Sequence, residues 1–326
     1  MSLSLQDVLE ARRRISGYAV HTPLLRCETL DDVLGCHVWL KPENLQKSGS
    51  FKIRGAANKV LSLTDEERKR GIICISEGNH ARACATIGYL TGTHAVIVMP
   101  YDAPACKLNG VRKMHGELLL GSRYGTERRE MLAAQIQEHG YINVEPTNDE
   151  KIIAGAGTVG LEIAEDNPEI NTVLVPTGGA GLLSGVALAV KSILPESKVI
   201  GVQAARNDGY TMSFHAGYRI DKPTVDSIAD GLNCQHPGDI TFACVQKYVD
   251  DMITVEEAVI QDAVRLVAEE AKLITEPSSC VGIAAILSGV YKPQKDENIA
   301  FVLSAGNWDI DQLGLIYQKN YPVIQD

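Results

Sequence analysis

Apolar positions along the chain fall into two alternating rhythms. Gly71-Ile-Ile-Cys-Ile-Ser76 and His94-Ala-Val-Ile-Val-Met99 are short apolar runs, the form taken by strands buried on both faces. Longer stretches of helical spacing follow them. The pattern predicts helices over 53–63, 81–90, 107–115 and 126–138, with strands over 71–76, 94–99, 117–120 and 141–144. The second half repeats the alternation: helix 151–165, strand 172–175, helix 181–194, strand 198–202, helices 255–273 and 278–287, and a last buried strand at 298–304. A polar amphipathic helix over 5–17 opens the chain and does not read as a signal peptide. Residues 22–47 read as irregular apart from a short strand near His37-Val-Trp-Leu40, and 204–250 as loop-rich with short helices. Strands alternating with helices define an α/β protein with parallel sheets covered on both faces. No internal repeat of solenoid length interrupts the pattern.

A chain of 326 residues is long enough for two such units. The expected division is a large domain of 1–51 with 147–326 and a small domain of 52–146. A net charge of −10 and the lack of a lysine–arginine stripe argue against nucleic acid as a partner. The uncharged stretch from Thr172 to Val190 is long enough to suggest a membrane span. Pro176-Thr-Gly-Gly-Ala-Gly181 near its middle makes strand, loop and helix the better reading, so no membrane is expected. The eight cysteines are dispersed, form no Cys-x-x-Cys pair and read as reduced thiols of a cytoplasmic protein. No His/Cys cluster has metal-ligand spacing, so no metal site is expected.

Three strand ends and one lysine carry the candidate chemistry. In Ser48-Gly-Ser-Phe-Lys-Ile-Arg-Gly55 the lysine stands at a helix start within an apolar stretch. Burial disfavours an ammonium, so such an amine becomes a usable nucleophile toward a carbonyl. Val173-Leu-Val-Pro-Thr-Gly178-Gly179-Ala180-Gly181 runs from a buried strand through a glycine-rich turn into a helix. Converging N–H groups and a helix dipole equivalent to about half a positive charge suit a phosphate. The third glycine of a dinucleotide fingerprint is missing, and Gln203 stands where its acid belongs, so a single terminal phosphate fits better. In Ser76-Glu-Gly-Asn-His-Ala81 an asparagine amide and the N–H groups opening a helix suit a phenolate-like oxygen and a carboxylate. In Val302-Leu-Ser-Ala-Gly-Asn-Trp308 a serine ends a buried strand, where ligands of open α/β sheets sit.

Lys41-Pro-Glu-Asn-Leu-Gln46, Ser50-Phe-Lys-Ile-Arg-Gly-Ala56, Gly78-Asn-His80, Ile153-Ala-Gly-Ala-Gly-Thr158, Gly178-Gly-Ala-Gly181 and Ser304-Ala-Gly-Asn307 occur in that order. Through them the chain resembles the fold-type-II pyridoxal-phosphate enzymes, and among these the serine/threonine dehydratases. The resemblance implies a tryptophan synthase β-like fold with pyridoxal 5'-phosphate in the cleft between the domains. It also implies β-elimination on a β-hydroxy amino acid such as L-threonine or L-serine, giving a 2-oxo acid and ammonia, in a homodimer or higher homo-oligomer. Lys52 would carry the cofactor and take the α-proton, and Phe51 would pack beside the ring. Asn79 would meet the 3-hydroxyl oxygen. Gly178, Gly179, Ala180, Gly181 and Leu182 would hold the phosphate, and Ser304 would meet the ring nitrogen. Ser50, Ser76, Asn79 and His80 are expected to line the substrate.

The chain departs from the family at Glu77, where racemase-like members use a serine as a second base. Three readings are open: an acid/base on the far ring face, a clamp for a substrate polar group, or a residue turned to solvent. Accordingly an amino-acid racemase and a dehydratase for another substrate such as 3-hydroxyaspartate stand as alternatives. A non-catalytic binding relative is a third.

Overall fold

The computed structural model describes residues 3–103, 105–122 and 125–319. Among the described residues ten strands form two sheets: β1 Leu25–Arg26, β2 His37–Pro42, β3 Ile72–Ile75, β4 Ala95–Pro100, β5 Glu117–Gly121, β6 Ile142–Asn143, β7 Thr172–Pro176, β8 Lys198–Ala204, β9 Asp251–Val255 and β10 Asn298–Leu303. One sheet runs β1-β2-β10-β7-β8-β9 and the other β5-β4-β3-β6. Every pairing is parallel except β1 with β2. The α/β class expected from the alternation is the fold observed.

Strand order positions the site. β10, last in sequence, is inserted between β2 and β7. The turn after β7 and the serine after β10 therefore leave the sheet side by side, although more than 120 residues separate them. In the second sheet β3 is interior, and its end runs into Ser76–Asn79. Val173, Leu174, Val175, Phe301, Val302 and Leu303 are all buried, as a sheet covered by helices on both faces requires.

Helices Glu150–Asp166 and Gly181–Ile193 meet backbone to backbone through glycines. A Cβ on Gly185 would lie 2.4 Å from the Ile153 carbonyl oxygen and 2.5 Å from the Gly157 nitrogen. A fully buried ion network lies behind the cleft. Arg54 bonds Glu43 at 2.7 Å and Glu162 at 2.6 Å, and Lys41 reaches Glu162 at 2.7 Å. It ties helix Lys52–Leu61 to β2 and to helix Glu150–Asp166.

Several elements differ from expectation for identifiable reasons. Helix Asp65–Arg70 buries no residue and shows no apolar rhythm; a Thr64–Glu67 capping box starts it instead. β9 is an edge strand with only Met252 and Val255 buried, so its pattern is weak. The single helix expected over 255–273 is Glu257–Leu266 followed by a π-helical turn at Val267–Ala271, closed by Lys272 at φ 59°. The Thr172 to Val190 stretch is a strand, a loop and a helix, and no described helix is long and apolar enough to cross a membrane.

Candidate active site

Lys52 is the first residue of its helix, and the segment before it is fastened to the end of β10. The Phe51 N–H donates to the Ser304 carbonyl at 3.0 Å, and the Gly306 N–H to the Gly49 carbonyl at 2.9 Å. Gly49 takes φ +72°, and a Cβ there would overlap Asn307 Oδ1. The Lys52 amine donates to the Pro146 carbonyl at 2.7 Å, 5.2 Å from the centre of the Phe51 ring. Burial lowers its pKa to about 8, against the opposing influence of Cys84 and Glu145.

The amine opens into a cavity of about 500 Å³ whose wall includes Ser76, Asn79, Thr147, Gly179 and Ser304. Glycine is needed in the turn that follows β7. A Cβ on Gly178 would lie 3.0 Å from Leu232 Cα, one on Gly179 2.9 Å from the Thr147 side chain, and one on Gly181 3.1 Å from Thr147 Cα. Ala180 takes φ 59°, and no side chain caps helix Gly181–Ile193. A helix start left uncapped in this way offers its N–H groups to an anion.

Ser304 is 5% exposed, with its hydroxyl 3.1 Å from that of Ser279. Ser279 is itself held by the Ala305 backbone at 2.7 Å and 2.8 Å. The Asn79 amide donates to both oxygens of Glu276, at 2.9 and 3.1 Å, and its carbonyl accepts from Asn307 at 2.8 Å. Burial, then the neighbouring Asp230, pushes the Glu276 carboxyl up to about 7, against the Asn79 bond. Asp230 also holds Lys107 at 2.5 Å.

Two expectations change on placement. Ser50 does not line the cavity: it is fully buried and backbone-paired with Ala305, so it anchors Lys52 from below. His80 has a place at the wall, but its Nε2 bonds the Val144 carbonyl at 2.8 Å and lies 3.5 Å from Cys84 Sγ. β3 and helix Asn79–Thr91 bring ligand atoms of Cys74, His80 and Cys84 within 4.8 Å of one another, a proximity that the reading of spacing along the chain did not include. Glu77 is at the cavity wall with its carboxylate ion-paired to Arg128. Residue reasoning missed Glu276, Asp230, Lys107 and Arg128 as wall or near-wall charges. Only Glu276, an acid before Pro277 and a helical turn, left any local signal.

The residues present fit pyridoxal phosphate: a half-buried amine of lowered pKa, a glycine turn that side chains would block, and an uncharged hydroxyl at the end of the strand beside it. The family model described as pyridoxal-phosphate dependent enzyme matches residues 15–305. An L-threonine ammonia-lyase of Thermotoga maritima is 43% identical over 321 residues, covering 97% of this chain and 79% of the relative. An L-threo-3-hydroxyaspartate ammonia-lyase of Saccharomyces cerevisiae is 40% identical over 310 residues, 93% of each chain. The structure of maize serine racemase superposes with a TM-score of 0.93 at 36% identity, covering 98% of both chains. The chain belongs to the pyridoxal-phosphate dependent enzymes, and its fold is that of fold type II.

Proposed function

We propose that the protein is an ammonia-lyase that dehydrates and then deaminates a β-hydroxy amino acid, such as L-threonine or L-serine, to a 2-oxo acid and ammonia. The observation that carries this reading is the half-buried Lys52 amine, lowered to about 8, opening on the same cavity as the glycine turn and Ser304. When bound, pyridoxal phosphate supplies the electron sink.

The chain's own residues supply position and proton transfer. The turn at Gly178–Leu182, with the helix start behind it, would hold the phosphate. The uncapped start of helix Asn79–Thr91 and Ser76 receive the substrate carboxylate. Lys52, with its pKa lowered to about 8, is suited to take the α-proton from the substrate. Ser304 offers an uncharged hydroxyl, which unlike a carboxylate does not hold a proton on a ring nitrogen. That limits charge build-up and favours prompt departure of the β-hydroxyl. The enamine released after water is lost hydrolyses in solution to the 2-oxo acid and ammonia.

A racemase needs a free second base across the ring from Lys52, and Glu77 is committed to Arg128, which favours the lyase. No disulfide joins the cysteines among the described residues, which suits a reducing cytoplasm, and a homo-oligomer accords with the resemblance.

The test is direct. The protein should carry a visible cofactor band and release ammonia with 2-oxo acid from L-threonine or L-serine. Lys52→Ala should lose both the band and at least about 10³-fold in turnover. A colourless wild type supplied with the cofactor would refute the reading.

A further inference from the structure

Cys84 is a buried nucleophile that the reaction as proposed leaves unused. It lies on helix Asn79–Thr91, one turn after His80, and Cys74 faces it from β3; neither sulfur is exposed. The two sulfurs and the imidazole lie within 4.8 Å of one another. Hydrogen bonding fixes the part each atom plays. The Val144 carbonyl can only accept, so His80 Nε2, 2.8 Å from it, carries the proton. That same Nε2 is 3.5 Å from Cys84 Sγ, so it presents a donor to the sulfur and not a lone pair to a metal. Cys74 is the second donor, and its thiol keeps its proton while that of Cys84 is eased off.

The cation for this sulfur is Lys52. The His80 ring and the Lys52 amine are fastened to carbonyls two residues apart, those of Val144 and Pro146. Helix Lys52–Leu61 packs on helix Asn79–Thr91, and the charges of Lys52 and Cys84 act on each other. Burial opposes ionisation of Cys84, yet the Cys74 hydrogen bond, the His80 ring and Lys52 bring its thiol down to about 5. On Lys52, burial lowers the amine, and Cys84, then Glu145, oppose it. Other ions of the neighbouring elements are engaged elsewhere. Arg54 and Lys59 on the first helix, Arg82 on the second and Lys107 on helix Ala105–Arg112 each bond a different partner. Cys106 and Arg112 are exposed, and β4 carries no titratable side chain.

We propose that Cys84 is a positioning residue that acts through Lys52: its sulfur, held as a thiolate by Cys74 and His80, is the buried counter-charge of the amine and sets the pH at which that amine works as a base. The inference rests on the lyase reading for the role of Lys52. The coupling runs both ways, because whichever group loses its charge withdraws support from the other.

The experiment titrates the holoenzyme and four variants. Ultraviolet absorbance of the thiolate reads the sulfur, and the pH midpoints of the cofactor's visible band and of kcat read the amine. Burial pushes the thiols of Cys36, Cys234, Cys244 and Cys280 up, so they stay silent at neutral pH. Wild type should show there about one thiolate that Cys84→Ser lacks. Without its counter-charge the amine gives up its proton more readily, so Cys84→Ser should move both midpoints down by about one pH unit. Cys74→Ala, which removes a donor, should raise the sulfur's titration and lower the midpoints. Cys74→Ser, which keeps a donor, should return both toward wild type. Lys52→Met, read through the sulfur alone, should raise its titration. A wild type with no more thiolate than Cys84→Ser overturns the proposal, as do midpoints that Cys84→Ser leaves in place. Where Cys84→Ser folds poorly the other variants decide: Cys74→Ala and Cys74→Ser titrating alike, or a thiolate indifferent to Lys52→Met, overturn it. A thiolate that answers to Lys52→Met in a protein with neither cofactor band nor turnover would sink the lyase reading and leave the ion pair standing.

Discussion

At Glu276 both carboxylate oxygens accept from one amide, that of Asn79, and Asp230 stands close by. Burial raises the carboxyl from an ordinary 4.5 to about 7. The folded chain therefore holds a proton that the unfolded chain has released between those two values. Stability should fall as pH rises from 4.5 to about 7 and then level off. Lys52 works in the opposite sense: with its amine lowered from 10.5 to about 8, stability should rise across that higher window. Glu276→Gln should flatten the lower slope, removing about 1–3 kcal/mol of pH dependence. Urea unfolding of both proteins at pH 5 and pH 8 checks this, and parallel midpoints would count against the assignment. Glu276 also holds Asn79, so the same substitution should alter the pH dependence of the cofactor's visible band.

At the scale of elements, the turn at 178–182, proposed to hold the phosphate, is only as well placed as the helix behind it. Helix Gly181–Ile193 is positioned by direct backbone contact with helix Glu150–Asp166 at Gly157 and Gly185. A side chain at 185 would force the two apart. Gly185→Val should cost about 3 kcal/mol or more, at the upper end of what overpacking a core does. It should also weaken cofactor binding, because the turn at 178–182 moves with its helix. Thermal unfolding and cofactor titration measure the two effects, and a stable variant with unchanged affinity would show that the crossing tolerates separation.

For the whole molecule, the buried network of Lys41, Glu43, Arg54 and Glu162 joins the helix bearing Lys52 to the six-stranded sheet. Arg54 is 1% exposed and gives both carboxylates a forked donor. Arg54→Met leaves Glu43 buried without its main cation, and breaking such a pair costs about 3–5 kcal/mol. Arg54→Lys should rescue little, since one ammonium does not replace the fork. Denaturant unfolding of the two variants separates these outcomes. Lys107 and Asp230 make a further link, from helix Ala105–Arg112 beside the four-stranded sheet to the turn at Asp230–Leu232.

The amino-acid sequence by itself determined the α/β class and, through its resemblance to a known family, the lysine, glycine turn and serine at strand ends that the structure gathers on one cavity. It could do so because burial on both faces leaves uninterrupted apolar runs, and because a turn closely approached by other backbone admits only glycine. Tertiary structure alone decided which strand ends lie together, since β10 slips between β2 and β7 and brings Ser304 beside the turn at 178–182. It alone assembled Glu276 with Asn79, Lys107 with Asp230 and Arg128 with Glu77. It also moved Ser50 out of the cavity wall and gathered Cys74, His80 and Cys84 into one core. Charges and thiols carry no periodic signal. Their partners are set by long-range packing, as with Asn79 and Glu276, which stand 197 residues apart.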